Sequence, residues 1–332
     1  MTRTAEEIHS QSLVVDLHAD TPMWMTLGYD VGVRHEPPFP HNAWGFHVDL
    51  PRAREGGLDA QFFGLVSPPW RLLRPATVVG WQLDALERAE RRYPDRLLLA
   101  STAAEVRRAR AEGKLAGLRG IEGAHALEGD LSRAAHFAGR GVVYVGLLHF
   151  HENQAGRPAH GRGVDDSQGL TSHGRELVDE LNRLRVMVDL THVNRKGFLE
   201  AARRSRAPVL VSHTTILGAH RHWRGIDDEQ IRAVADTGGC VGVMFASEFL
   251  GGGRGVEDVC RHVEHLLDVG GEGVPALGSD FDGMITPAAG LPDVTGLPGL
   301  TETLHRRGLT ERQLEKLLGE NALRVLEEVR GS

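Results

Sequence analysis

Cysteine is almost absent from the 332 residues. Cys240 and Cys260 are the two present, in unrelated contexts, which excludes a disulfide scaffold and a cysteine-rich zinc module. No run of about 18 apolar residues occurs, so no transmembrane helix is expected. The polar stretch Met1 to Leu13 lacks the apolar core of a secretory signal, and no C-terminal cysteine or apolar tail offers a lipid anchor. A cytoplasmic location with no membrane partner is the expectation. Positive charge is also short. A net charge of −7 lacks the basic face that a nucleic-acid partner would need. No Gly-x-Gly-x-x-Gly follows the first expected strand, and Gly251-Gly252-Gly253 lacks the Lys-Ser or Lys-Thr of a phosphate loop. No Gly-x-Ser-x-Gly elbow is present, which disfavours a serine hydrolase.

Hydrophobic residues make up 41% and charged residues 25%, as in ordinary globular chains. Eight short β-branched or apolar runs alternate with helical patterns. The runs are 13–17, 60–66, 115–121, 142–148, 186–190, 209–212, 240–245 and 274–279. Helical spacing fills 77–93, 103–112, 171–184, 196–204, 228–237 and 256–269. A final helix starts at the Thr310-Glu311-Arg312-Gln313 capping signal and runs to about Val329. Eight βα repeats predict an α/β fold, a (β/α)8 TIM barrel spanning residues 1–332 as one catalytic domain, with an open doubly wound sheet as the weaker alternative. Three long connections, 21–54, 150–169 and 281–298, follow strand C-termini and are expected to build the pocket on the active face.

Histidine is plentiful, at eighteen residues. Metal-type ligands sit at six of the eight strand ends: His18 with Asp20, Glu122, His149, His192, His213 and Asp280. Burying such groups without partners costs roughly 2–7 kcal/mol each, and a cation would supply the partner. His18 and Asp20, two apart in an extended chain, point the same way, and imidazole plus carboxylate suits zinc or a related ion. A hydrogen-bonded pair is the alternative for that motif alone. Glu122 has two oxygens and could bridge two cations, or be an ordinary loop glutamate. His192 and His213 could hold a second ion, or simply bond to backbone. Asp280 is placed to take a proton from metal-bound water, while Asp282 suits a turn. Arg224 offers a planar fork for a substrate carboxylate. His125 reads as a loop residue or one lying behind the ligands. His262 and His265, three apart on a helix, read as an exposed face, and Cys240 as a small apolar strand residue.

Several blocks in order resemble the membrane (renal) dipeptidase family, peptidase family M19, a branch of the amidohydrolase-type metal-dependent barrels. They are Val15-Asp16-Leu17-His18-Ala19-Asp20-Thr21-Pro22, Gly57-Leu58-Asp59-Ala60-Gln61-Phe62, Gly120-Ile121-Glu122-Gly123, Asp189-Leu190-Thr191-His192-Val193, Val211-Ser212-His213-Thr214 and Gly278-Ser279-Asp280-Phe281-Asp282-Gly283. The resemblance implies a zinc-dependent dipeptidase, with His18 and Asp20 on one Zn2+, His192 and His213 on the other, and Glu122 and a hydroxide bridging them. It implies that His149 contacts the substrate and stabilises the tetrahedral intermediate, that Arg224 binds its C-terminal carboxylate, and that Asp280 lies near the bridging hydroxide. The implied partner is a dipeptide, L-Xaa-D-Xaa included. N-acyl amino acid, cyclic amide or lactone hydrolysis is the alternative on the same site. Thr191 replaces a family serine, Gly225 stands where an asparagine commonly follows the arginine, and 150–168 departs most from the animal enzymes. The sequence leaves a homo-oligomer open.

Overall fold

A computed structural model describes residues 3–67, 73–253 and 255–331. Ten strands form one parallel system: β1 (Val15–Ala19), β2 (Ala60–Val66), β3 (Leu97–Leu99), β4 (Leu115–Glu122), β5 (Val142–Gly146), β6 (Met187–Asp189), β7 (Leu210–Ile216), β8 (Gly225–Ile226), β9 (Cys240–Val243) and β10 (Pro275–Leu277). Eight of them close in the order β1-β2-β4-β5-β6-β7-β9-β10 and back to β1, a TIM barrel with helices between the strands. These eight coincide with the eight apolar runs of the sequence. Their residues are buried throughout, as expected of parallel strands covered on both faces.

The other two strands were not expected. β3 pairs with β4 at Leu115–Gly117, before β5 joins from Arg119 onward. β8 pairs with the end of β7, Thr215 with Gly225 and Ile216 with Ile226, beyond the reach of β9. At two or three residues, both are too short to produce a readable alternation.

The long connections contain more helix than expected. Residues 21–54 hold helices Thr21–Thr26 and Leu50–Glu55, each with proline in its first turn, where the missing N–H costs nothing. The 281–298 segment leads into helix Leu297–Arg306, again with an early proline. Residues 150–169 contain only isolated bridges, His151 to Arg162, Asn153 to Gly156 and Pro158 to Val193.

The last helix runs through as expected, from Glu311 to Arg330, but it is not α-helical throughout. The Thr310 capping box starts Glu311–Glu315, a π turn occupies Lys316–Glu320, and Asn321–Arg330 completes it. The π turn carries Gly319, where a Cβ would stand 2.0 Å from the Leu13 carbonyl oxygen. The widened turn brings helix backbone against the entry to β1. Asn321 then donates to the Pro275 carbonyl, fastening the same helix to β10.

Candidate metal centre

β1 delivers His18 and Asp20 to the mouth. Asp16, buried below them, accepts the Ser279 N–H at 2.8 Å and its hydroxyl at 2.6 Å, locking β1 to β10. The His18 ring is fully buried. Its Nδ1 lies 2.9 Å from Tyr144 Oη, and its Nε2 faces the barrel centre without a hydrogen-bond partner. Two glycines make room. A Cβ on Gly64 would sit 2.5 Å from His18 Cε1 and 2.7 Å from Asp20 Oδ1, and one on Gly120 would strike the Tyr144 ring at 2.0 Å.

Glu122, the last residue of β4, lies at the middle. Its Oε1 is 2.9 Å from His192 Nε2, 3.4 Å from His213 Nε2 and 3.6 Å from His149 Nε2. Its Oε2 faces the other way, 3.9 Å from His18 Nε2, and has no hydrogen-bond partner. Asp20 Oδ1 stands 3.5 Å from the same His18 nitrogen and is also unpartnered. The two carboxylate oxygens therefore divide the ligand types between them.

His213, within β7, and His192, just after β6, share one buried anchor that the sequence alone does not single out. Asp189, fully buried at the end of β6, accepts from the Thr191 hydroxyl at 2.8 Å, the Ser212 N–H at 3.0 Å and the Ser212 hydroxyl at 2.7 Å. With its hydrogen given to Asp189, Ser212 Oγ accepts from His213 Nδ1 at 3.0 Å. That contact selects the tautomer whose free Nε2 points into the cluster. Thr191, the departure from the family serine, thus still fulfils a hydroxyl's role.

Asp280 reaches the cluster from the end of β10, the strand beside β1. Its Oδ1 is 3.9 Å from both His18 Nε2 and His213 Nε2. Both His192 and Asp280 have left-handed backbone, φ 66° and 64°, a conformation that costs non-glycine residues roughly 1–3 kcal/mol. Asp282 holds the turn, as its position suggested, accepting from Thr21 Oγ1 at 2.6 Å and the His47 N–H at 2.7 Å.

Arg224 is buried, and β8 holds it there, with the Thr214 hydroxyl donating to its carbonyl at 2.8 Å. Its Nη2 donates to the His213 carbonyl at 3.2 Å and lies 3.4 Å from His192 Nε2. It forms no ion pair among the described residues, although a buried guanidinium normally has a carboxylate beside it. His125 lies behind His149, buried, with Nε2 2.7 Å from Ser67 Oγ and its ring 6.5 Å from that of His149. His262 corrects an expectation. It is interior, with Nδ1 accepting the Ile216 N–H at 2.9 Å and Nε2 donating to the Leu250 carbonyl at 3.1 Å. A three-residue histidine spacing cannot tell an inward from an outward helix face. Cys240 is buried in β9, as expected.

Burial dominates the electrostatics. It raises the Asp20 carboxyl to about 8, helped by Asp282, and the Asp280 carboxyl to about 7. Burial and the nearby Asp20 also raise Glu122, while burial lowers His149, His192 and His213. A cation among them would reverse the carboxylate shifts and favour the neutral imidazoles. Three overlapping sets can each surround an ion: His18, Glu122 and His213; Glu122, His149 and His192; and His18, Asp20 and Asp280. Every residue singled out in the sequence as a ligand lies in this one cluster, and Arg224 borders it.

The membrane dipeptidase family model, peptidase family M19, matches residues 2–331. A Klebsiella pneumoniae protein described as uncharacterized in the pqqA 5' region is 35% identical over 264 residues, 77% of this chain and 97% of that protein. The metallopeptidase called dipeptidase AC, of family M19, is 33% identical, with a TM-score of 0.83 over 97% of this chain and 99% of its own. A Rhodobacter sphaeroides metallopeptidase, liganded with a phosphinate mimic of the dipeptide L-Ala-D-Ala, is 31% identical. Its TM-score is 0.83 over 96% of this chain and 100% of its own. The chain belongs to the membrane dipeptidase family, peptidase family M19, and is a metallo-dipeptidase-type hydrolase.

Proposed function

We propose that the protein hydrolyses dipeptides with two zinc ions held at the barrel mouth, His18 and Asp20 on one, His192 and His213 on the other, and Glu122 shared. One observation carries this reading. One oxygen of the buried Glu122 carboxylate faces His192 and His213 and the other faces His18, and the buried His18 Nε2, Asp20 Oδ1 and Glu122 Oε2 have no hydrogen-bond partner. When bound, such ions supply Lewis acidity for the scissile carbonyl and a lowered pKa for the attacking water.

The chain's own residues do the rest. Arg224 pairs with the substrate's C-terminal carboxylate, the partner its buried guanidinium lacks. That restricts substrates to those with a free carboxylate one residue from the scissile bond. His149 Nε2 donates to the carbonyl oxygen as it gains charge, a contact type worth about 2.7–4 kcal/mol elsewhere. Asp280 Oδ1 takes the proton of the attacking water and passes it to the leaving amine.

The relative bound to an L-Ala-D-Ala mimic supports extending the substrate to a D-residue at the C-terminal position. The test is metal analysis together with kinetics on L-Ala-L-Ala and L-Ala-D-Ala. Two zinc equivalents per chain and chelator-sensitive hydrolysis of both are expected. Turnover of N-acyl amino acids or cyclic amides with neither dipeptide cleaved would overturn the reading.

A further inference from the structure

The mouth carries apolar surface that neither the ligand cluster nor the guanidinium uses. Phe150 and Trp223 are large aromatic residues left 38% and 40% exposed. Phe150 follows His149 in the chain, and its ring centroid lies 4.5 Å from that of His149 and 4.8 Å from that of His192. Trp223 immediately precedes Arg224, with its ring 6.1 Å from Phe150 and 5.3 Å from Phe249. The result is a continuous wall. It starts at two histidines of the cluster and leads outward past the guanidinium.

The wall is held in place. β8 fixes the residues just after Trp223, and His160 stacks on the indole at 3.9 Å. Aromatic rings presented at a fixed rim beside a polar site mark a surface that an apolar group covers.

A dipeptide has one Cα between its scissile amide and its terminal carboxylate. His149 at the carbonyl and Arg224 at the carboxylate would bracket that Cα beside His192, the residue that Phe150 also touches. We infer that Phe150, Trp223 and Phe249 form the subsite for the side chain of the C-terminal residue and select a large apolar or aromatic one. The inference rests on the dipeptidase reading above. It names the determinants of specificity within that site.

The test is kcat/KM of the zinc-loaded full chain on L-Ala-Gly, L-Ala-L-Ala, L-Ala-L-Leu and L-Ala-L-Phe. The wild type should favour L-Ala-L-Phe over L-Ala-Gly by at least about tenfold, chiefly through KM, since a buried aromatic side chain is worth that much or more. Trp223→Ala should shrink that ratio to about threefold or less, and Trp223→Phe should restore most of it. Phe249→Leu serves as a second variant should Trp223→Ala fold poorly, and should also lower the ratio. A flat wild-type profile, or an unchanged ratio in both truncated variants, overturns the subsite. So does a changed sedimentation coefficient with the ratio unmoved, which would make the wall a contact between protein chains. No hydrolysis of any of the four dipeptides by the wild type would instead sink the dipeptidase reading itself.

Discussion

Two groups of buried histidines occupy this barrel, and they differ in what their ring nitrogens do. His9, His47 and His262 have both nitrogens engaged. His9 bonds Thr301 and the Gly56 carbonyl, His47 bonds the Asp282 N–H and the Asn42 carbonyl, and His262 bonds the Ile216 N–H and the Leu250 carbonyl. His18 and His213 have one nitrogen engaged, by Tyr144 and by Ser212, and the other turned toward Glu122. Burial is near total in both groups, so burial alone does not distinguish them. What does is the second ring nitrogen, bonded elsewhere in the first group and turned toward the Glu122 carboxylate in the second. The first group should therefore matter to stability and the second to metal and turnover.

The largest expected effect falls on the carboxylate shared by both ligand pairs. Glu122→Gln keeps the shape and removes the charge. Dipeptide turnover should drop by at least about 10³-fold and zinc content should fall below one equivalent, by elemental analysis. Thermal stability of the metal-free protein should hold or rise, because the neutral amide takes the place of a carboxyl whose charged form burial and Asp20 disfavour. Full zinc occupancy in this variant would erase the proposed distinction between the two histidine groups.

Arg224→Ala separates substrate binding from metal binding. Turnover of dipeptides should fall by roughly 10²-fold or more, as expected for loss of a buried charged clamp, while zinc content stays near wild type. Dipeptide C-terminal amides should already be poor substrates for the wild type and lose little more in the variant. Equal wild-type rates on acids and amides would remove the carboxylate clamp from the mechanism.

A smaller effect is expected one layer out. Asp189→Asn leaves every ligand in place but weakens the contacts through Thr191 and Ser212 that orient His213. Zinc affinity should weaken by about 10–100-fold, and excess zinc in the assay should restore most of the activity. Loss of activity that zinc does not rescue would make Asp189 a folding residue only.

The expected ligands were legible because a barrel converts strand ends into neighbours. His18, Glu122, His192 and His213 are far apart in sequence but each closes an apolar run, so counting strands was enough to bring them together. What escaped was whatever does not repeat. Asp16 and Asp189 look like ordinary strand residues until their partners on the next strand are known. β8 is two residues long, yet it is what turns Arg224 inward. His262 sits in an amphipathic helix whose buried face extends further round than its histidine spacing suggested. The π turn at Lys316–Glu320 carries Gly319, packed against Leu13 of a distant segment, a contact that no local pattern encodes.

The smallest effect tests the other half of the comparison. Burial lowers His262 to about 4, and its bonds hold one neutral tautomer, Nδ1 accepting and Nε2 donating. Between pH 4 and 6.5 the unfolded chain binds the proton and the folded chain does not, so stability contributed by this residue rises with pH across that window. The full difference is on the order of 3 kcal/mol. Acidification to pH 4 should consume it, because protonated Nδ1 can no longer accept the Ile216 N–H at the end of β7. His262→Leu leaves that N–H and the Leu250 carbonyl unpaired. It should cost about 2–4 kcal/mol at pH 7, with zinc content near two equivalents and kcat close to wild type. Urea unfolding of both proteins at pH 4.5, 5.5 and 7 gives the decisive quantity, the wild-type minus variant difference. That difference should narrow steadily toward acid. If it stays constant with pH while kcat collapses, His262 belongs functionally with His18 and His213, and the division by ring nitrogens fails.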